Sequence, residues 1–398
     1  MCKVKHTLES LECCGIVLCM SLRVDSRFHG GNVAAVRVKE NDTSSEVFFS
    51  ADPSGGAEAL WFDFRVIESN AETPHPETLT LTLEFVRNLT GCDSPSALHP
   101  VYRGEGQGWN RARSGRVSNE DGQASVSWTI PYPTPAIEFA LSYPYDLHEV
   151  KTLVRKSKGY WSTSPIGLSQ EGRRIPRISN TVECDPSRPG IYLIARQHAG
   201  ETPGSWVLDG MLQHFSRTNE SRLLIWTVPL ADVGGVERGH YGRGGLSRDL
   251  DQAWGDPPLR YETRAIQSDL VEWQTRCQPA LVLDFQAGGG SESQGVYCYL
   301  PQTEELNAAA RDSEKWANVL RFALGEDYAA EDFKRERRGR PQAVGMSLED
   351  YVRQTLSIRA LTLCAPYASC GKTMMTPKQY REVGRRIART AVQRVTGG

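Results

Sequence analysis

Apolar and polar residues alternate with a period of two from about residue 20 to residue 147. Leu60, Phe62, Phe64 and Val66 form one such series, Leu79, Leu81, Leu83 and Phe85 a second, and Val126, Trp128 and Ile130 a third. This alternation gives strands with one buried face. The turn-rich pieces between them, such as Asp52-Pro-Ser-Gly-Gly and Glu120-Asp-Gly, predict an antiparallel β-sandwich. Its last strand runs over Ile137 to Leu141 and ends at Tyr143-Pro-Tyr145.

Beyond a polar, proline-containing connection at about 148–189 the pattern changes. Short continuous apolar runs now alternate with helical ones: Gly190–Arg196, Leu223–Pro229, Ala280–Phe285 and Ala360–Leu363. Strands apolar on both faces belong inside a sheet covered by helices. Helices are predicted at Trp206–Phe215, at Glu304–Leu324 and at the C-terminus. There Thr376 caps, Pro377 takes the first position, and Tyr380, Val383, Ile387, Ala391 and Val395 share one face. This half reads as α/β, with its functional residues at the C-terminal ends of the strands. Three segments result: an extension or disordered N-terminus over 1–19, a β-sandwich domain over 20–147 and an α/β domain over 148–398.

Composition narrows the function classes. The 46 basic and 48 acidic residues nearly cancel, so no global field draws in nucleic acid or an anionic membrane. The expected partner is a peptide or small molecule in a cleft. Residues 11–22 are the one apolar run near the N-terminus, too short to span a bilayer and without a small-residue cleavage site after it. Four of the ten cysteines, Cys2, Cys13, Cys14 and Cys19, crowd that run. The other six show no paired spacing, so reduced thiols and a cytoplasmic location are expected. Lys334–Arg340 is a local basic run that reads as a solvated loop.

Candidate chemistry begins at Arg196-Gln-His-Ala-Gly-Glu-Thr-Pro-Gly-Ser-Trp206, directly after a buried run and opening a helix. A histidine at a strand end and a glutamate three residues on, across a turn eased by Gly200, can point into one cleft and hold zinc. An isolated pair of this spacing is a weak signal.

The whole segment closely resembles the zinc-binding stretch of the cytosolic carboxypeptidase branch of the metallocarboxypeptidases. The resemblance extends over about residues 20–395, including the closing Tyr143-Pro-Tyr145. It implies a carboxypeptidase-like mixed sheet with helices on both faces, behind the sandwich. It also implies His198 and Glu201 as two of three zinc ligands.

Elsewhere the chain departs from that family. Pro229 to Tyr241 fills the slot of P-x-x-N-P-D-G-V-x-x-G-N-Y, with Asp232 and Val233 where Asn and Pro are usual. Asp249 to Trp254 fills the slot of D-L-N-R-x-W, whose Asn-Arg pair grips a substrate carboxylate; here the pair is Asp251 and Gln252. Arg243 or Arg248 could restore the missing cation, or both face water as loop residues. The third ligand slot, histidine in relatives, holds Gln286, and none of the eight histidines follows residue 240. Gly288-Gly-Gly290 and Ser291–Ser293 predict a loosened loop beside it. The general-base glutamate is replaced by Cys364, and Glu349, upstream on a helix, is a poor substitute.

Three functions remain open at this point. The first is a metallocarboxypeptidase-like protein impaired in or diverged from zinc-dependent C-terminal hydrolysis, with zinc weak or absent. The second is an active zinc hydrolase that completes its metal shell with Gln286 or Cys364. The third uses Cys364 as a nucleophile for acyl transfer, with His198 or His240 as partner. Cys364 as a small buried residue in a disused slot is the plain alternative.

Overall fold

The computed structural model describes residues 22–397 apart from 41–43, 55, 57, 69–76, 90, 121, 133–134, 244–248, 301–307 and 337–344. Residues 1–19, Arg248 and the end of the 334–340 run therefore lie outside the described residues.

The period-two segments form two five-stranded sheets. One has the order Leu22–Asp25, Asp63–Glu68, Ala136–Ala140, Val101–Gly104, Asn110–Arg111. The other has the order Ala34–Glu40, Ser45–Ser50, Thr78–Leu83, Gln123–Pro131, Arg116–Glu120. Phe49 of the second sheet packs against Phe62, Phe64 and Phe139 at ring separations of 4.7–6.0 Å, and Trp128 lies 5.8 Å from Phe139. The alternating residues are thus the layer between the sheets, as their period requires.

Two expectations are corrected here. The pairing of Ser45–Ser50 with Thr78–Leu83 is parallel, so the sandwich is not wholly antiparallel. The series ending at Phe85 stops at Leu83, because Phe85 adopts φ 58° and turns the chain into a short 3₁₀ helix, Val86–Asn88. Val86 is buried in its place, and Phe85 is exposed.

The second half is an eight-stranded mixed sheet. Its order is Ser162–Leu168, Arg174–Ser179, Leu224–Val228, Pro189–Ala195, Gln278–Ala287, Ala360–Ala365, Val296–Leu300, Ala329–Glu336. The four predicted apolar runs are its central strands, parallel to one another. Helices cover both faces, among them Thr202–Arg217, Tyr261–Arg276, Ala308–Tyr328 and Pro377–Thr396. Within Ala308–Tyr328 regular helix stops at Gly325, which takes φ 65°, a conformation easy only for glycine. The C-terminal helix is capped by Thr376 with Pro377 following, and its predicted face is buried from Tyr380 to Ala391, with Val395 half-buried in the last turn.

The two halves share one continuous apolar cluster. Polar contacts reinforce the junction: Asn32 Nδ2 donates to Gly239 O at 2.7 Å, and Trp206 Nε1 to Tyr143 O at 3.0 Å. The glycine loop expected to be loose is instead docked. Ser291 N donates to Gly91 O at 2.9 Å, and a Cβ on Gly91 would fall 2.4 Å from Gly289 Cα. The glycines there serve close backbone approach between the halves.

Candidate functional site

The strand Pro189–Ala195 delivers the chain to Arg196, which takes φ 64°, unusual for a side chain of this size. Its guanidinium is buried and secures the turn by donating to Tyr145 O at 2.7 Å and to Ala199 O. That turn presents His198 and, at the mouth of helix Thr202–Arg217, Glu201. Both are fully buried. His198 Nδ1 lies 2.9 Å from Glu201 Oε1, so the spacing read in the sequence does bring the two side chains together.

The other face of the imidazole meets Asp249, with Nε2 to Oδ1 at 2.7 Å. Burial opposes a charged imidazole, yet Asp249 and then Glu201 outweigh it and hold His198 well above its ordinary range. Glu201 is disfavoured as an anion by burial, but Arg243 and His198 pull it down to about 2. Arg243 Nε and Nη2 sit 2.8 and 2.6 Å from Glu201 Oε1, while Glu201 Oε2 accepts Ala287 N–H at 2.7 Å. The charge of Arg243 is thus directed inward.

Gln286, at the end of strand Gln278–Ala287, belongs to an adjoining network. Its Nε2 donates to Asp251 Oδ1 at 2.8 Å and to Asp284 Oδ2 at 2.7 Å. With two carboxylates as neighbours, only the NH₂ end of the amide satisfies the contact. Asp284 Oδ2 also accepts from Gln197 Nε2 at 2.8 Å, and Gln197 Oε1 accepts from Trp254 Nε1 at 2.7 Å. Thr362 Oγ1 reaches Glu349 Oε2 at 3.0 Å, tying the helix Leu348–Gln354 to the same layer. Glu349 is therefore a buried partner of the sheet rather than a surface acid.

Cys364 pairs in register with Gln286 on the next strand and is fully buried beside Tyr297 and Ala330. His198 points both ring nitrogens at carboxylates, and His240 has Arg238, Glu171, Asp52 and Arg260 as its charged surroundings. Gln252 is half-buried at the end of the turn Leu250–Gln252, its carbonyl against Gly345. A separate trio of acids, Glu171, Asp232 and Glu262, brings its oxygens within 4.8 Å of one another, with Arg260 beside them.

Sequence reasoning missed the roles of Asp249 and Gln197. Asp249 stood in the quoted D-L segment, and its position ahead of two unusual residues was the one available signal. Gln197, between Arg196 and His198, carried none.

No family model matches the chain. It is 24% identical over 310 residues to cytosolic carboxypeptidase 2 of Xenopus tropicalis, covering 70% of this chain and 31% of that protein. It is 22% identical over 342 residues to cytosolic carboxypeptidase 6 of Caenorhabditis elegans, covering 78% and 72%. An uncharacterised protein of Zymomonas mobilis is 25% identical over 258 residues, 60% of each chain. The chain thus spans less than two thirds of two of these three relatives. Among solved structures, a metallo-carboxypeptidase from Burkholderia cenocepacia superposes with TM-score 0.74 at 16% identity, over 95% of this chain and 99% of that one. A Pseudomonas aeruginosa metallo-carboxypeptidase gives 0.71 at 18%, over 93% and 98%. Kinship in sequence and likeness in fold agree: the chain is similar in sequence to the cytosolic carboxypeptidases and has the fold of the metallo-carboxypeptidases.

Proposed function

We propose that this chain retains the carboxypeptidase-type cleft as a binding site for a peptide or small molecule and has diverged from zinc-dependent removal of C-terminal residues. The observation that carries this reading is Gln286, whose NH₂ group is turned into Asp251 and Asp284. Zinc sites are built chiefly from Cys, His and carboxylates, and an amide presenting its donor end supplies no ligand. Glu201, the carboxylate beside His198, is already engaged by Arg243 and by Ala287 N–H. These residues do not fit a zinc ion.

The substrate side supports the same reading. Asp251 is buried where the resemblance has a neutral amide, and Asp249 and Asp284 lie close by in the networks described above. A free carboxylate entering this region meets acids, so the favoured ligand lacks one. Cys364 at the general-base position is a buried thiol, which does not replace a carboxylate in moving a proton between water and a leaving amine.

A second reading has one observation in its favour. His198 Nδ1 and Glu201 Oε1 still converge with Asp249 behind the ring, the arrangement of a carboxylate-supported metal ligand. Incubating the purified protein with peptides ending in a free carboxylate, with and without added zinc, separates the two. Unchanged peptide masses in both samples are expected. Zinc-dependent shortening that His198→Ala abolishes overturns the proposal and establishes the active hydrolase.

A further inference from the structure

We infer that the solvent face of the C-terminal helix, with the groove it shares with helix Ala308–Tyr328, docks an acidic peptide segment of a partner protein that carries an apolar anchor residue. None of the residues involved belongs to the networks of the cleft, so the inference goes beyond the reading above and does not depend on it.

Charge is distributed unevenly in this chain. Its formal net charge is −2, yet the helix Pro377–Thr396 holds Lys378, Arg381, Arg385, Arg386, Arg389 and Arg394 against Glu382 alone. Lys378, Arg385 and Arg389 are exposed and recur at intervals of seven and four, which keeps them in one stripe along the helix. Arg389 pairs with no carboxylate among the described residues. The positive field reaches the neighbouring helix Thr202–Arg217. There burial and the charges of Arg385, Arg389 and Arg217 hold His214 below its ordinary range, with Glu220 opposing them. Like charges held together repel one another, and an anionic partner relieves that repulsion.

Beside the stripe lies a groove of about 710 Å³. Val319, Phe322 and Ala323 form its apolar wall, and Arg386, Arg389 and Arg394 stand opposite. Phe322 is 90% exposed, so covering its ring with a partner's apolar side chain is favourable. A recess with one apolar wall and one cationic wall suits a segment that offers both kinds of group.

The same face selects among anions. Glu382 meets the Arg385 fork with both oxygens, Nε to Oε2 at 2.6 Å and Nη2 to Oε1 at 2.5 Å, the geometry in which arginine recognises a carboxylate. Glu382 and Asp327 also pair with Arg386, so acids stand within the basic surface. A phosphodiester backbone, charged at every step, meets those acids wherever it runs. A peptide carries its charges on side chains whose spacing can avoid them. A lipid surface is flat and leaves the recess unfilled.

The test is fluorescence anisotropy with a labelled, C-terminally amidated ten-residue peptide, eight glutamates flanking a central Leu-Trp pair. It is compared with the same peptide carrying glutamine for glutamate, with a ten-nucleotide oligouridylate, and with vesicles of phosphatidylcholine and phosphatidylserine. Wild type is expected to bind the glutamate peptide, to lose most of that binding in about 0.5 M salt, and to leave the glutamine peptide free. Arg389→Glu should weaken binding by roughly tenfold or more, and Phe322→Ser by roughly fivefold. Both positions are exposed, and unchanged melting temperatures check that the fold persists. Arg389→Gln and Phe322→Gln are the second pair of variants, with the same direction expected.

Absence of peptide binding overturns the inference, as does equal affinity in wild type and the variants. Tighter binding of the oligouridylate or of the vesicles overturns it in favour of a nucleic-acid or membrane surface. Peptide binding that His198→Ala removes and Arg389→Glu leaves intact also overturns it, while supporting the cleft as the binding site.

Discussion

Asp232 shows how a single residue can set a pH response. It is buried, its Oδ1 accepts Gly235 N–H at 3.0 Å, and Arg260 lies 3.7 Å away. Burial raises its pKa from 3.8 to about 6, although Arg260 and the Gly235 amide pull the other way and Glu262 adds to the rise. The folded state therefore binds the proton more tightly than the unfolded chain. Its contribution is fully present below pH 3.8 and is lost as pH rises through about 6. The shift corresponds to roughly 3 kcal/mol at most. Asp232→Asn keeps the acceptor and removes the charge, so the variant should gain on wild type as pH rises from 4 to 7. Urea denaturation at both pH values measures this; a stability difference that stays constant would show that the carboxylate is not strained by burial.

Among elements, helices Thr202–Arg217 and Pro377–Thr396 approach backbone to backbone at two glycines. A Cβ on Gly384 would fall 1.9 Å from Val207 O, and one on Gly210 would fall 2.2 Å from Arg381 O. Helix propensity alone favours Gly384→Ala by about 1 kcal/mol. Backbone cannot yield as a flexible side chain can, so the packing cost should win and Gly384→Ala should be destabilised by about 2–3 kcal/mol. A denaturation midpoint at or above that of wild type would refute this contact. The amphipathic face and cap of the C-terminal helix were legible in the sequence, because period and capping residues are local. Which of its positions met another backbone was not, since a glycine in a helix reads the same whether it is tolerated or required.

At the scale of the whole molecule, the two halves are fastened at several places. Gly30 N donates to Glu237 O at 3.0 Å, Arg111 Nη2 to Met375 O at 2.7 Å, and Asn32 bridges Asp52 and Gly239. With a continuous core behind these contacts, the halves should unfold in one transition. Far-UV circular dichroism and tryptophan fluorescence should give coincident curves. Asn32→Ala strands the buried Gly239 carbonyl and should shift both by the same amount, about 1–3 kcal/mol. Separate transitions would mean that the shared core does not couple the halves. No helix among the described residues is long and apolar enough to cross a membrane.

The sequence by itself determined the division into a period-two half and an α/β half, the central strands, the C-terminal helix, and the pairing of His198 with Glu201. Each depends on contacts within a few residues or on a repeating pattern of burial, so each leaves a local mark. Tertiary structure alone decided that Asp249 meets His198, that Gln286 faces two carboxylates, that Cys364 lies beside Tyr297, and that Arg243 turns inward to Glu201. Those partners are brought together by strand order and by the connections between strands. A buried charge selects its counterion by distance in space, and local sequence does not encode that distance.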